Sequence, residues 1–343
     1  MVDFCSQPSV PLRPVSFKSR SYSWQEWNES EVENLPVQSC TVTHRLALYG
    51  NKRAEMNTIQ EMPKHQTCPI CGGTNLKGLW TVKGFTITKC GSCSIVFVQE
   101  KVTAEQLALH YAGGTDEAYD DTNVDCLNYY YKKLEELIRS EVPRPGKILD
   151  LGCSRGWFLD VMQGWECHGN EIVAGDAAAA RERYGDRIVT GSFEDYPMRE
   201  GYFDVITLQD VFDHFRDPLP TLDKCRQLLR QGGMVVIKVH NISCLYAKLT
   251  GPNFYAIIPP SHLFYYDRET LARTLETAGF QVADSRFIGH LLKVKTIFWR
   301  LSRGDVNSGY YRAYKALDGT ALGEFKIHKN LHDIVTVLAI KAG

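Results

Sequence analysis

From Lys147 to the C-terminus, short apolar runs alternate with longer stretches whose apolar positions recur at helical spacing, the pattern of a parallel α/β sheet. The pattern predicts strands at Lys147 to Leu151, Glu166 to Ile172, Arg187 to Thr190, Phe203 to Leu208 and Met234 to Val239. Helices are predicted between them, at Gly156 to Gln163 and at Asp176 to Tyr184. Asp217 and Pro218 supply an N-cap and a first-turn proline for a further helix. That helix would carry Leu222, Cys225, Leu228 and Leu229 inward and stop at Gly232-Gly233. Asp267 would cap another, with Leu271 and Leu275 on its inner face and Gly279 as its stop, before closing strands at Phe280 to Phe287 and Asp333 to Lys341.

Upstream the pattern changes. Gly78 to Val82, Phe85 to Lys89 and Ile95 to Val98 are short β-prone runs joined by glycine turns, a sheet with too little core to stand alone. Ala104 to Tyr111 and Asn128 to Ser140 read as helices joining that sheet to the α/β region. Ahead of it lies a stretch rich in Pro, Ser, Asn and Glu, with Trp24, Trp27, Leu46, Ala47 and Leu48 as its few packable side chains. The chain therefore divides into an extension at 1–64, a small sheet at 65–100, a helical connector at 101–142 and an α/β domain at 143–343.

Composition narrows the partners. In 343 residues, 39 Lys and Arg against 40 Asp and Glu leave a formal charge of −1, so no global cationic field draws nucleic acid or an anionic membrane. No run approaches the roughly 20 apolar residues of a membrane span, and the first twenty residues lack an apolar signal core. The expectation is a cytoplasmic protein acting on a small molecule, with its oligomeric state unspecified.

The cysteines need their own explanation, because a cytosolic chain of this size has no use for a disulfide framework. Cys68-Pro-Ile-Cys71 and Cys90-Gly-Ser-Cys93 form two C-x2-C turns separated by 18 residues. Such turns aim paired sulfurs at one tetrahedral zinc. Four thiolates close the metal's shell, so the predicted zinc is structural and stabilises the small sheet. The competing reading is four unrelated buried thiols. Cys5, Cys40, Cys126, Cys153, Cys167, Cys225 and Cys244 are scattered and read as small hydrophobes.

The first α/β strand runs through Asp150, Gly152, Cys153, Ser154 and Gly156 into a predicted helix, and Glu171 ends the second strand. Glycines there let a ligand approach the backbone at the carboxyl edge of the sheet, where open α/β folds bind nucleosides. The loop is neither G-x-G-x-x-G nor a P-loop with its lysine. A cationic amino-acid ligand would use Asp150.

With those blocks, and with Phe203-Asp204-Val205-Ile206-Thr207-Leu208 and Leu229-Arg230-Gln231-Gly232-Gly233, the chain from Ile148 to Gly343 resembles the class I S-adenosylmethionine-dependent methyltransferases. Asp213-His214-Phe215-Arg216-Asp217-Pro218 and Pro260-Ser261-His262-Leu263-Phe264-Tyr265 look like the subgroup acting on small molecules. With the ribbon upstream, the whole is similar to bacterial zinc-ribbon methyltransferases. The resemblance implies a Rossmann-like class I sheet, parallel with an antiparallel last strand, preceded by a zinc-ribbon subdomain. It also implies S-adenosylmethionine as cofactor. Asp150, Gly152, Cys153, Ser154 and Gly156 would then surround the methionine moiety and Glu171, followed by Ile172, would take the ribose hydroxyls. Phe193 and Glu194 would border the adenine, and Gln209 and Asp210 would close the pocket. Ser154 stands where the family usually has its middle glycine, and Ser192 where it often has an adenine-contacting Asp.

In-line methyl transfer mainly requires alignment and exclusion of water, and a neutral hydroxyl acceptor, the oxygen nucleophile we expect, also benefits from a general base. His214, after the fourth strand, is the first candidate, against a reading in which it packs on Pro218. His262, beside an aromatic run, and His240, after the fifth strand, come next, with core packing as the rival for His262. Tyr129-Tyr130-Tyr131, Tyr246, Phe254, Tyr255 and Tyr265 would help bound the acceptor. Lys293, Lys295, Arg300 and Arg303, in an insertion from Leu291 to Lys326, suit either a basic lid or a solvated helical face. Two other functions fit the sequence: methylation of RNA or protein with the ribbon as recognition module, and a non-catalytic zinc-ribbon binding protein.

Overall fold

Strand alternation places apolar side chains on both faces of the main sheet. Leu149, Ile206, Leu208, Val235 and Ile237 join one apolar cluster, and Ile148, Val205, Met234 and Val236 join the other. A sheet buried on both faces needs helices on both, and a computed structural model of the protein, which describes residues 59, 61–107, 124–302 and 305–343, has them. Its strands are β4 (Lys147–Leu151), β5 (Glu166–Glu171), β6 (Ile188–Thr190), β7 (Phe203–Gln209), β8 (Leu229–His240), β10 (Phe280–Arg286) and β13 (Ile334–Lys341). They lie in the order β10-β13-β8-β7-β4-β5-β6. β4 to β8 are parallel, whereas β13 runs antiparallel to both its neighbours, as the sequence led us to expect. Strand order reverses at β4 and β7, so their carboxyl ends open the crevice in which such sheets bind ligands.

Helix α1 (Val124–Glu141) covers one face by burying Cys126, Tyr130, Leu134 and Ile138, four residues apart. Helix α2 (Ala174–Tyr184) presses Ala177 and Ala180 on the same face. On the other face lie α3 (Pro218–Leu228) and α5 (Arg268–Thr277), the latter started by an Asp267–Thr270 capping box. The short α4 (Leu245–Thr250) comes after β8.

Two expectations about these elements fail. The helix foreseen at Gly156 to Gln163 is a single 3-10 turn at Leu159–Val161. Gly156 and Gly164 both have positive φ (82° and 80°), and the few residues between them are too short a run to repay helix nucleation. Helix α3 stops at Leu228 rather than at the glycine pair, because Leu229 already pairs with Phe203, and Gly232 (φ 68°) only bends the new strand. The N-cap residue Asp217 makes no side-chain capping bond.

The small sheet is built from β1 (Leu76–Val82), β2 (Phe85–Cys90) and β3 (Val96–Val98), and it is completed from outside. Val96 and Phe97 pair with Tyr265 and Phe264 of β9 (Phe264–Tyr265), a strand contributed by the α/β domain. Phe97 stacks on Phe264 at 6.2 Å, and Ile87, Phe97 and Val98 belong to the same apolar cluster as Leu149 and Phe212. The boundary at residue 100 thus does not separate two cores.

The insertion forms a hairpin of β11 (His290–Lys293) and β12 (Lys326–Lys329) carrying α6 (Val294–Ser302), α7 (Gly309–Leu317) and α8 (Ala321–Glu324). Lys293 and Lys295 make neither a lid nor a solvated face, whereas Arg300 is exposed. Lys293 and Lys295 are buried, with Lys293 Nζ 3.0 Å from Glu324 and 3.5 Å from Asp125, and Lys295 Nζ 2.9 Å from Asp318. Arg303, most of the extension at 1–64 with Cys5 and Cys40, and the end of the helix expected at Ala104 to Tyr111 lie outside the described residues.

Candidate active site

β4 delivers the chain into a loop held open by left-handed backbone at Gly152 (φ 71°), Ser154 (φ 46°) and Gly156 (φ 82°). A Cβ at Gly152 would stand 3.0 Å from Val211 Cγ2, and one at Gly156 would stand 3.1 Å from the Tyr184 ring. Glycine is therefore required at both for space as well as conformation, and Ser154 takes a conformation that glycine adopts without strain. The backbone N–H groups of Gly152 and Cys153 both donate to Asn170 O, which ties the loop to β5.

Glu171 is buried where β5 ends, and its two carboxylate oxygens accept from Ser154 N and Val173 N, both at 2.8 Å. Those bonds fix the carboxylate beside the loop and leave each oxygen further acceptor capacity. Burial pushes its pKa up. Asp150, in the floor, accepts from Thr207 Oγ1 at 2.6 Å, and burial pushes its carboxyl up to about 7. Gln209 Nε2 reaches Asp150 at 3.5 Å, while Gln209 Oε1 and Asp210 Oδ1 are buried without a hydrogen-bond partner. Asp210 itself has φ 55° and pairs with the buried Lys238. Buried polar atoms left unsatisfied along one edge mark a cradle that a polar ligand would complete.

The other expected cofactor residues make further contacts within the fold, and Phe193 and Glu194 line one cavity. Cys153 is buried in the core under α2, where its sulfur would meet any Cβ at Gly169 within 2.6 Å, so only its backbone borders the crevice. Phe193 packs its ring on Tyr196 and Phe215, and Glu194 reaches outward to Arg216 at 2.9 Å. Ser192 caps the 3-10 turn at Phe193–Asp195 by accepting from Glu194 N. Ile172, by contrast, is 49% exposed directly after Glu171, an apolar face beside a fixed carboxylate.

The three candidate histidines come from three separate segments and meet at one residue not singled out from sequence, Asp213. It is 2% exposed, and its carboxylate lies 3.7 Å from His214 Nε2, 3.5 Å from His240 Nδ1 and 3.6 Å from His262 Nδ1. His262 faces His214 at 4.6 Å and His240 at 5.2 Å between ring centroids. Burial opposes charge on Asp213, but His262, His240 and His214 outweigh it and hold the carboxyl well below the usual range. Burial lowers His262, and lowers His214 to about 4. Burial pulls His240 down too, but its pairing with Asp213 prevails and raises it. The aromatic wall is split: Tyr246 and Tyr255 are partly exposed beside His240, whereas Phe254 and Tyr265 are core. Tyr131 lies against Phe158 under the loop, and Tyr130 bonds Thr336.

Residues 127–285 match the family model described as "Methyltransferase domain". Over these residues the chain is similar to methyltransferase domains. Among relatives, the chain is 25% identical over 169 residues to a probable S-adenosylmethionine-dependent methyltransferase of Mycolicibacterium smegmatis, covering 48% of this chain and 63% of that protein. It is 26% identical over 152 residues to a ubiquinone biosynthesis O-methyltransferase of Aromatoleum aromaticum, covering 40% and 65%. The chain thus spans less than two thirds of the length of these curated relatives. Among solved structures, the 1,6-didemethyltoxoflavin-N1-methyltransferase of Burkholderia thailandensis aligns over 78% of this chain and 100% of its own at 17% identity, with a TM-score of 0.46.

Beside the α/β domain, Cys68, Cys71, Cys90 and Cys93 converge. Cys68 and Cys93 sulfurs lie 3.6 Å apart, as do those of Cys71 and Cys90. Zinc–sulfur bonds of about 2.3 Å in a tetrahedron place sulfurs about 3.8 Å apart, close to what is found. Ile70 N and Ser92 N donate to the sulfurs of Cys68 and Cys90, so the knuckle backbone supports thiolate charge. No helix among the described residues is long and apolar enough to cross a membrane.

Proposed function

We propose that the protein transfers a methyl group from S-adenosylmethionine to a hydroxyl oxygen of a small-molecule acceptor, a sugar, nucleotide-sugar or other biosynthetic intermediate, and that its ribbon holds a structural zinc. One observation carries the reading: the glycine loop with Glu171 and the Asp213-centred imidazoles occupy the same carboxyl edge of the sheet, joined through Asp150, Gln209 and Asp210. Bound S-adenosylmethionine supplies an electrophilic methyl on a sulfonium, whose carbon–sulfur bond breaks with the electron pair kept by sulfur. Glu171 would accept the ribose hydroxyls, Ile172 would meet the adenine face, and ionised Asp150 would pair with the amino-acid ammonium. Asp213 orients the imidazoles, of which His214 is first candidate to take the acceptor's proton as its oxygen bonds to the methyl carbon. Tyr246 and Tyr255 would wall the acceptor and exclude water. The O-methyltransferases among the relatives support oxygen as the acceptor atom.

Incubating the zinc-replete chain with methyl-labelled S-adenosylmethionine and a fractionated cell extract should place label in the small-molecule fraction. Label in RNA or protein instead would favour the ribbon as a recognition module and overturn the proposal.

A further inference from the structure

Asp213, His240 and His262 offer one donor atom each, all within 4.8 Å of one another. Three features set this group apart from ordinary ion pairing. Asp213 Oδ1 and His240 Nδ1 are both buried without a hydrogen-bond partner, their contacts being long ion pairs of 3.7 Å to His214 and 3.5 Å to Asp213 Oδ2, so both are open to completion by a ligand. His262 Nδ1 lies 2.7 Å from Ala256 O. A carbonyl only accepts, so Nδ1 carries the hydrogen, and Nε2 is the ring nitrogen left to ligate. An outer hydrogen bond from the non-ligating ring nitrogen to a carbonyl is how proteins orient metal-binding histidines. Finally, stacking His240 and His262 at 5.2 Å disfavours charging both beside a single carboxylate.

We propose that Asp213, His240 and His262 bind a divalent first-row transition-metal ion, at a site distinct from the ribbon. Two imidazoles and one carboxylate favour manganese through zinc over magnesium or calcium, which prefer all-oxygen shells. The donor types are those of two-histidine, one-carboxylate metal sites, which leave coordination positions for other ligands. Resting on the proposed function, those positions would take the acceptor's oxygen and hold it for alignment, with His214 outside the ligand set.

Cobalt(II) tests the site, because its thiolate complexes absorb intensely and its imidazole–carboxylate complexes weakly. The full chain, with its ribbon already filled by zinc, should bind one further equivalent of cobalt without thiolate charge-transfer bands. Asp213→Asn and His240→Gln should lose that equivalent and retain the ribbon zinc. No second equivalent in the unmodified chain, or one undiminished in both variants, overturns the site. Calorimetry with S-adenosylmethionine on the same samples separates the two proposals. Cofactor binding without the second metal defeats only the metal site, and the second metal without cofactor binding defeats only the methyltransferase reading.

Discussion

Asp150 sits beneath the glycine loop with Thr207 and Gln209 as its hydrogen-bonding neighbours, and burial holds its carboxyl up to about 7. A carboxyl whose pKa is raised by folding is better tolerated protonated, so the ligand-free protein should lose stability as pH rises from about 4 to about 7. A ligand ammonium needs the ionised form. Affinity for S-adenosylmethionine should therefore rise about ten-fold between about pH 6 and about pH 8, as a one-proton linkage requires, and Asp150→Asn should flatten that profile. Glu171→Ala should weaken cofactor binding by at least about ten-fold, since it removes acceptors for two hydroxyls at about 1.5–3 kcal/mol per charged hydrogen bond. Asp213→Asn should leave cofactor affinity in place and cut turnover by about 100-fold or more, the scale of general acid–base loss, measured with labelled cofactor. Glu171 was legible because its position depends on one local strand–loop–helix unit. Asp213 was not, although it opens a block that the sequence displays: its partners arrive from the ends of β7 and β8 and from the loop before β9, and only the fold brings them together.

At the scale of elements, the strands were legible from apolar periodicity and the cysteine turns from spacing, while the junctions were not. The 3-10 turn after β4 depends on two glycines that fix its ends, and the early stop of α3 depends on Leu229 pairing with Phe203. The ribbon's reliance on β9 is a tertiary fact with mechanical consequences. Phe97, fully buried against Phe264, should cost about 3–5 kcal/mol when changed to Ala, read by denaturant unfolding. Cys71 is exposed, so Cys71→Ser removes a ligand with little loss of packing. It should abolish stoichiometric zinc and raise hydrogen exchange in β2, β3 and also β9. Exchange confined to β2 and β3 would show that the ribbon is not coupled to the α/β domain.

Over the whole molecule, the alternation of strand and helix was enough to foresee a parallel sheet, and the antiparallel final strand followed only from the family resemblance. It could not reveal that Lys293 and Lys295 are paired, because Asp125 comes from α1 and Glu324 and Asp318 from within the insertion itself. With those cations paired and a formal charge of −1, no cationic surface is left among Lys293 and Lys295 to recruit a polyanion. The central claim is that the edge shared by Asp150, the glycine loop and Glu171 is a cofactor site. Titration calorimetry of the zinc-replete chain with S-adenosylmethionine tests it most directly. Saturable one-to-one binding, weakened by Glu171→Ala, is the predicted result; no binding by the intact chain, or binding indifferent to Glu171, would contradict it.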